Sequence, residues 1–377
     1  MKKILLTTVC LSLLSGTVFA LDTKAKYAIL LDADTKYVML DKRAEEPMPP
    51  ASMSKLMTAY MVFDALKSGK LTLEDEFTVS DNAWIKGGTK SGSSTMFLKP
   101  RTTVKVKDLL RGVIVQSGND ACIVIAENMA GSEEAFADLM TQKAKKIGLK
   151  HSSFKNATGL PQKGHEMSAE DLAHLAQLII NEFPEYYSIY SEKTFKYNGI
   201  KQGNRNPLLY SMPGADGLKT GHTEASGFGL TGSVKTPDGR RLIMVINGLK
   251  TMNDRATESQ KIMGWGVAGF ENVKPFDAGV TIEKIPVWLG REKTVNAVLE
   301  KPALITVPKG RGSEITAKID YDTPVTAPIT KGQKLGTLTL TTHENKVYTY
   351  NLVAGEAVEK VGIIGKIIAV FSMWLGL

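Results

Sequence analysis

The spacing of apolar residues predicts strands and helices in the first part of the chain. Residues 27–31 and 37–40 are strand-like and flank the turn residues Asp34-Thr35-Lys36, which predicts a hairpin. From residue 51 to residue 66 the apolar positions recur at helical spacing, directly after Pro49 and Pro50. Proline is favoured where a helix begins, so we expect a helix to start there.

Helical spacing dominates the middle of the chain, and strand patterns return after it. Residues 106–182 are mostly helical by pattern, most clearly at 121–129 and 169–181. Residues 228–234 and 241–246 are strand-like around Pro237-Asp238-Gly239, and a helix is expected over residues 254–267. Strands at both ends with helices between them predict an α+β fold, in which helices flank one antiparallel sheet.

The pattern changes again after residue 270. Short β-rich runs, punctuated by Gly and Pro, predict a separate small all-β domain; they lie at 280–285, 303–307, 314–319 and 346–352. The final residues 361–377 carry a single charge, Lys366, and are short for a bilayer span. We expect an amphipathic helix that lies on a membrane surface, with Trp374 near the headgroups. The alternative is a helix packed on its own protein.

The N-terminus has the pattern of an export signal. Lys2 and Lys3 precede an apolar stretch over residues 4–14, and Val18-Phe19-Ala20 places small residues at a cleavage position. We expect cleavage after Ala20; the alternative is a retained membrane anchor. The predicted division is therefore a signal peptide (1–20), a main domain (21–274), a small all-β domain (275–355) and an amphipathic anchor helix (356–377).

Charge and cysteine content limit the classes of function. Loss of Lys2 and Lys3 with the signal lowers the formal charge from +8 to +6. A mildly basic protein suits an anionic membrane surface or an acidic envelope polymer. Basic residues form no stripe with interleaved aromatics, so we expect no nucleic-acid partner.

Metal and disulfide chemistry are not expected. After cleavage Cys122 is the single cysteine, so no internal disulfide can form. Cys122 lies in the apolar run 121–125, which indicates inert packing more than a thiol nucleophile. The five histidines are scattered, and no pair has zinc-ligand spacing. We expect neither a metal nor a cofactor.

The run Ser52-Met53-Ser54-Lys55 is the first candidate for catalysis. Positions i and i+3 of a helix share a face, so the Ser52 hydroxyl and the Lys55 amine can approach each other. Serine becomes a good nucleophile only when a base takes its proton, and lysine is a base only when it is neutral, which burial favours. The same letters occur at Ser152 to Lys155, but in a polar stretch without an apolar helix.

Ser117-Gly118-Asn119 is the second candidate element. It lies before the helical stretch 121–129, and apolar segments on both sides would hold its turn on rigid elements. A similar tripeptide, Ser80-Asp81-Asn82, lacks these flanks. The alternative for either tripeptide is ordinary turn and helix-cap chemistry.

Lys219-Thr220-Gly221, followed by His222, is the third candidate element. Residues 217–223 can form an edge strand beside 228–234, where a lysine and a hydroxyl can bind a carboxylate. A glycine at position 221 lets a substrate backbone approach closely. The Gly-Lys pair of a phosphate-binding loop is missing here.

S-x-x-K, S-x-N and K-T-G in this order form the three-part signature of penicillin-recognising serine enzymes. Over almost its whole length the chain resembles the low-molecular-mass penicillin-binding proteins that are D-alanyl-D-alanine carboxypeptidases of the bacterial envelope. The resemblance includes residues 117–122 and 219–223, the signal peptide, the small β domain and the tail. It implies a β-lactamase-like catalytic fold and a place on the periplasmic face of the cytoplasmic membrane.

The resemblance also implies a mechanism that removes the last D-alanine of a peptidoglycan stem pentapeptide. Ser52 would form an acyl-enzyme, Lys55 would act as base, and Ser117 would relay a proton to the leaving D-alanine. Asn119 would orient the substrate amide, and Lys219 and Thr220 with Gly221 would hold the carboxylate end. The N–H groups of Ser52 and His222 would form the oxyanion hole. Arg255 would bind the terminal carboxylate. β-Lactam antibiotics would acylate the same serine. For Arg255, the alternative is an arginine on a helix surface.

Three other functions remain open. A β-lactamase shares the three motifs, but residues 119–219 contain no E-x-x-L-N pattern, which class A enzymes use to hydrolyse the acyl-enzyme. A D,D-endopeptidase of the same fold would cut cross-linked stem peptides instead. A catalytically silent envelope-binding protein would not need the intact Ser52, Lys55, Ser117 and Lys219.

Overall fold

The computed structural model describes residues 2–7 and 21–363. Two compact units divide the chain between Ala268 and Gly269, and residues 2–7 group with the second unit. This division falls before the expected boundary at residue 274, because strand Phe270–Phe276 pairs with Ala303–Pro308 of the second unit.

The helices begin close to the expected positions. A short 3-10 helix, Ala51–Ser54, leads directly into the first α-helix, so the predicted helix has a tighter first turn than expected. The α-helices are α1 (Lys55–Lys67), α2 (Asp81–Gly87), α3 (Val106–Ile114), α4 (Asn119–Ala130), α5 (Glu133–Lys146), α6 (Ala169–Glu182), α7 (Pro184–Tyr187), α8 (Leu208–Ser211) and α9 (Met252–Gly269). Two further 3-10 helices are Thr89–Ser91 and Ser188–Ser191.

The strands fall into a large sheet in each unit and three two-stranded ribbons. They are β1 (Lys2–Thr7), β2 (Tyr27–Asp32), β3 (Val38–Lys42), β4 (Glu76–Thr78), β5 (Thr103–Lys105), β6 (Thr194–Tyr197), β7 (Ile200–Gly203), β8 (Ala215–Thr223), β9 (Gly227–Lys235), β10 (Arg241–Leu249), β11 (Phe270–Phe276), β12 (Glu283–Trp288), β13 (Thr294–Val298), β14 (Ala303–Pro308), β15 (Ile315–Asp322), β16 (Val325–Thr326), β17 (Lys334–Thr342) and β18 (Val347–Ala354). The ribbons are β4-β5, β6-β7 and β11-β14.

A five-stranded antiparallel sheet forms the centre of the first unit, in the order β3-β2-β10-β9-β8. The predicted hairpin is confirmed as β2-β3, and β8 is confirmed as an edge strand. Alternate residues of β10 enter different cores. Ile243 and Val245 join the core formed with the central helices, whereas Leu242 and Met244 join the core that includes Ile262 of α9. The α+β architecture with helices flanking one antiparallel sheet is therefore confirmed.

The second unit is built on a seven-stranded sheet in the order β1-β15-β17-β18-β13-β12-β16. Its pairs are antiparallel except β12 with β16. Its separate apolar core contains Ile285, Val295, Ile305, Leu338 and Leu352. Strand β1 lies in the predicted signal peptide, so cleavage after Ala20 would leave one edge of β15 unpaired. The small all-β domain is confirmed.

The predicted anchor helix lies outside the described residues from residue 364 onward. Residues 356–362, which the prediction included in that helix, are not helical, because Val358 and Lys360 form isolated bridges with Ile329 and Gly290. The predicted start of the helix at residue 356 is therefore wrong. Over residues 2–7 and 21–363, no helix is long and apolar enough to cross a membrane.

Candidate active site

Ser52 and Lys55 lie one turn apart at the start of the 3-10 helix and α1. Lys55 Nζ donates a hydrogen bond of 2.9 Å to Ser52 Oγ. Ser52 is half-buried at the surface of a cleft, whereas the Lys55 side chain is 1 % exposed. The two groups therefore have the relation that a nucleophile and its base require.

Lys55 is enclosed by oxygen acceptors. Its Nζ donates to Asn119 Oδ1 at 2.7 Å and to the Thr158 carbonyl oxygen. Burial lowers the pKa of Lys55 to about 8, because the charged form loses its hydration. A substantial fraction of this amine is therefore neutral at mildly alkaline pH.

The backbone before Ser52 is wedged between two glycines. Ala51 has a left-handed φ of 48°. A Cβ on Gly159 would lie 2.1 Å from the Ala51 carbonyl oxygen, and one on Gly221 would lie 2.8 Å from the Pro50 carbonyl oxygen. Only glycine allows so close an approach at these two positions. The turn that carries Ser52, called the nucleophile turn below, therefore packs between β8 and the loop that contains Gly159.

Ser117 lies in the turn between α3 and α4, with a left-handed φ of 61°. Its hydroxyl accepts a hydrogen bond of 3.0 Å from Lys219 Nζ. Asn119 opens α4, and its Nδ2 donates to Ser93 Oγ at 2.8 Å. The S-x-N element thus contacts both lysines, Lys55 through Asn119 and Lys219 through Ser117.

Lys219 and Thr220 lie on β8 and are buried. Burial lowers the pKa of Lys219 well below its usual range, and the nearby positive charges of Lys55 and Arg205 lower it further. One side of β8 pairs with β9, and the other is an edge of the sheet. An extended peptide can add to such an edge.

The active cleft has a volume of about 260 Å³. Its lining residues are Ser52, Ser94, Ser117, Arg205, Thr220, Gly221, His222, Phe228, Met252 and Arg255. The cleft thus holds a nucleophile, several hydroxyls and two guanidinium groups. It suits a small substrate with a negatively charged end and an acyl group that can react with Ser52.

Arg255 is buried and faces the cleft, so the alternative of a surface helix arginine is wrong. It is 4 % exposed, its guanidinium carbon lies 5.6 Å from the centre of the Phe228 ring, and its Nε has no hydrogen-bond partner in the described part of the chain. Burial lowers the pKa of Arg255 to about 10, which leaves it charged at neutral pH. His222 is exposed and stacks on the same Phe228 ring at 3.7 Å.

Several residues of the site were not found from the sequence. Arg205 Nη1 donates to Ser94 Oγ at 2.6 Å, and both line the cleft. The polar run Asn204-Arg205-Asn206 was the available signal. Both asparagines fix the loop, since Asn206 Nδ2 donates to the Gly217 carbonyl oxygen and Asn204 Oδ1 accepts from the Asn206 N–H.

Asp120 was also missed, although it follows the S-x-N element directly. It is fully buried, and its carboxylate accepts hydrogen bonds from Thr95 Oγ1, the Met96 N–H and the Leu98 N–H at 2.7 to 3.0 Å. These bonds fix the segment that carries Ser93 and Ser94 beside α4. An acidic residue directly before an apolar helical run is the signal in the sequence that could have identified it.

The competing motifs have structural roles. Ser80 caps α2 through a bond from the Ala83 N–H, and Ser152 donates to Asp171 while Lys155 is exposed. Cys122 is buried, and burial raises the pKa of its thiol to about 12, so it is not a nucleophile. Within residues 21–363, no cluster of three or more His, Cys, Asp or Glu is placed to hold a metal ion.

Two family models match the chain. The model for D-alanyl-D-alanine carboxypeptidases matches residues 15–251, and the model for the C-terminal domain of penicillin-binding protein 5 matches residues 270–360. D-Alanyl-D-alanine carboxypeptidase DacC of Escherichia coli (strain K12) is 40% identical over 96% of this chain and 92% of its own length.

Solved structures agree with these matches. Penicillin-binding protein 5 from Haemophilus influenzae is 37% identical, with a TM-score of 0.83 over 91% of this chain and 100% of its own. Penicillin-binding protein D2 from Listeria monocytogenes, in its ampicillin-bound form, is 28% identical, with a TM-score of 0.56 over 66% of this chain and 98% of its own.

Proposed function

The chain belongs to the D-alanyl-D-alanine carboxypeptidase family, and from that premise we propose that it removes the terminal D-alanine of peptidoglycan stem peptides through an acyl-enzyme on Ser52. The D,D-carboxypeptidase activity itself follows from the family. The assignment of each residue to a step is our proposal. The observation that carries it is the 2.9 Å hydrogen bond between Lys55 and Ser52 at the surface of the active cleft.

Acylation begins when neutral Lys55 takes the proton from Ser52 Oγ. The oxygen attacks the carbonyl carbon of the penultimate D-alanine and forms a tetrahedral intermediate. The N–H groups of Ser52 and His222 would stabilise its oxyanion. Ser52 lies in the first turn of its helix, where an N–H group has no acceptor within the helix.

Collapse of the intermediate breaks the peptide bond and releases D-alanine. Ser117 donates its hydroxyl proton to the leaving amine, and the proton that Lys55 took from Ser52 replaces it, so Lys55 is neutral again. Water then attacks the ester while Lys55 takes one proton from it. As the ester bond to Ser52 breaks, Lys55 gives that proton to the Ser52 oxygen, and the shortened peptide leaves as a carboxylic acid. Both steps therefore use the same amine as the base.

Binding of the substrate places its C-terminal carboxylate near the cationic end of the cleft. Arg205, Thr220 and Arg255 line the cleft, and Lys219 donates a hydrogen bond to the Thr220 carbonyl oxygen. Charged hydrogen bonds from guanidinium to carboxylate are among the strongest in proteins. Asn119 orients the substrate amide. A β-lactam carries a carboxylate and a reactive carbonyl, as the substrate does at its C-terminus. The same serine, Ser52, can therefore attack the β-lactam carbonyl.

The decisive experiment measures D-alanine release from a stem pentapeptide by the full chain, with Ser52→Ala as the control. We expect release by the native protein and none by the variant, and a lasting fluorescent-penicillin adduct at Ser52. Rapid turnover of the penicillin would instead identify a β-lactamase, and preference for cross-linked dimers a D,D-endopeptidase. Release by Ser52→Ala at the native rate would contradict the assignment.

We also propose that the mature protein begins after Ala20 and is held on the periplasmic face of the membrane by the segment predicted as an anchor over residues 356–377. Because Val358 and Lys360 bridge to other strands, a test retains them and removes only residues 363–377. The expected result is an active enzyme that no longer sediments with membranes. Loss of folding would favour the alternative of a helix packed on the protein.

A further inference from the structure

A second cavity begins beside the nucleophile turn. It has a volume of about 400 Å³ and is called the side cavity here. Ala51, Pro49 and Pro50 form one wall, Thr223 and Ala225 form another, and the loop over residues 159–166 forms the third. None of the roles proposed above uses this space.

The direction of the substrate leads to this cavity. Suppose that the C-terminus of the substrate lies at Lys219 and Thr220 and that the peptide pairs antiparallel with β8. The residues before its C-terminus then lie toward Thr223, the last residue of the strand. The residue before the two D-alanines then lies next to Ala51 and Thr223. This step rests on the proposed function.

The loop that forms the third wall is held by its own hydrogen bonds. Asn156 Oδ1 accepts from the Gly159 N–H at 2.8 Å, and Asn156 Nδ2 donates to the Leu160 carbonyl oxygen at 3.0 Å. Glu166 and Ser153 exchange two backbone bonds of 2.9 Å. The wall is therefore preorganised, which reduces the entropy cost of binding a side chain against it.

The charges on this wall have opposite signs. Lys163 and Glu166 both line the side cavity and are exposed, and neither has an ion-pair partner among residues 21–363.

On the same loop, His165 is 4 % exposed, and its ring packs edge-on against Phe154. Burial lowers the pKa of His165 to about 4, so this ring is neutral near pH 7.

We propose that the side cavity binds the side chain of the third stem-peptide residue and selects one that ends in both an ammonium and a carboxylate group. A 2,6-diaminopimelyl residue has this pair of groups, whereas a lysyl residue has the ammonium alone. Lys163 pairs with the carboxylate and Glu166 with the ammonium. A purely apolar side chain satisfies neither charge.

The test compares three pentapeptides that differ only at the third residue: meso-2,6-diaminopimelate, L-lysine and L-norleucine. For the native protein we expect kcat/KM to fall in that order. An ion pair at an exposed site contributes about 0.2–1 kcal/mol, so each step is expected to be about 1.5- to 5-fold.

Two variants separate the two pairings. Lys163→Gln should lower kcat/KM for the diaminopimelyl peptide to the level of the lysyl peptide and leave the other two peptides unchanged. Glu166→Gln should lower kcat/KM for the diaminopimelyl and lysyl peptides and leave kcat/KM for the norleucyl peptide unchanged. Because each result is a ratio between substrates, a general loss of folded protein does not produce it.

Matched controls lie next to the side cavity. Lys155→Gln removes an exposed lysine beside Gly164 that does not line it, and Glu224→Gln removes a carboxylate that lines a neighbouring cavity of about 500 Å³. Neither should alter the ratios. If Glu224→Gln rather than Glu166→Gln removes the preference for an ammonium, the side chain occupies the neighbouring cavity and the proposal is wrong.

Two other outcomes would overturn it. Equal rates on all three peptides would mean that the side cavity does not read the third residue. An equal loss on all three peptides in Glu166→Gln, with an unchanged folded fraction by circular dichroism, would mean that this carboxylate does not recognise the third residue. If no peptide loses D-alanine at all, the proposed function fails instead, which is a distinct result.

Discussion

Lys219 Nζ donates a hydrogen bond of 3.0 Å to Ser117 Oγ across 102 positions of sequence. The bond joins the edge strand β8 to the turn before α4, and both residues are buried. The hydroxyl is therefore held by an amine on one side and open to the active cleft on the other. This is the geometry expected of a proton relay.

The relay predicts a specific loss in Ser117→Ala. We expect kcat for D-alanine release to fall about 10²- to 10⁴-fold, the usual contribution of a positioned acid–base group. The unfolding free energy should change little, because one hydrogen bond contributes about 1 kcal/mol. Steady-state kinetics and urea unfolding measure the two quantities.

Ser93→Ala is the matched control for that variant. Ser93 accepts a bond from Asn119 and does not line the cleft, so its removal should cost far less activity. Comparable losses in the two variants would assign Ser117 a structural role.

The lowered pKa of Lys55 predicts the pH dependence of acylation. Below pH 8 the amine is mostly protonated and cannot accept the Ser52 proton, because its pKa is about 8. The second-order rate of penicillin acylation should therefore rise about tenfold per pH unit from pH 6 to 7 and level off above about pH 8. Stopped-flow fluorescence provides the measurement, and a rate independent of pH over this range would exclude Lys55 as the base.

Close packing against the nucleophile turn predicts that Gly159→Ala is severe. The new Cβ would lie 2.1 Å from the Ala51 carbonyl oxygen, so the backbone before Ser52 must move. We expect acylation to slow at least about tenfold, since misplacement of a reacting group by 1 Å can cost about 10² in rate.

Gly69→Ala is the control for the backbone strain alone. Gly69 also has a left-handed φ, of 70°, but a Cβ there meets no atom within 4 Å. Its cost should be about 1–2 kcal/mol of unfolding free energy with unchanged acylation. Equal effects of the two substitutions on acylation would contradict the proposed role of the packing.

Arg255 predicts a binding defect. In Arg255→Gln we expect KM for the pentapeptide to rise about 10- to 100-fold, because a charged hydrogen bond contributes about 1.5–3 kcal/mol. Arg101→Gln removes an exposed arginine paired with Asp81 and should leave KM unchanged. A fall in kcat at constant KM would instead place Arg255 in the chemical step.

Local pattern predicted much of this protein. The β2-β3 hairpin, the helix that begins near Ser52 and the edge strand with Lys219 all follow from spacing and turn residues, because these features depend on neighbours in sequence. The three motifs were also recognised from the sequence, since each is a short run of residue types with a known chemical use.

Tertiary structure alone decided the rest of the site. Arg205, Asp120 and Thr158 belong to the site through contacts with Ser94, Met96 and Lys55 that join distant segments. The local patterns around Arg205 and Asp120 indicate polar residues but not these partners. The lowered pKa of Lys55 depends on its burial, and the hydrogen bond between Lys219 and Ser117 depends on their distance in space. A linear sequence specifies neither quantity until helices and sheet have packed.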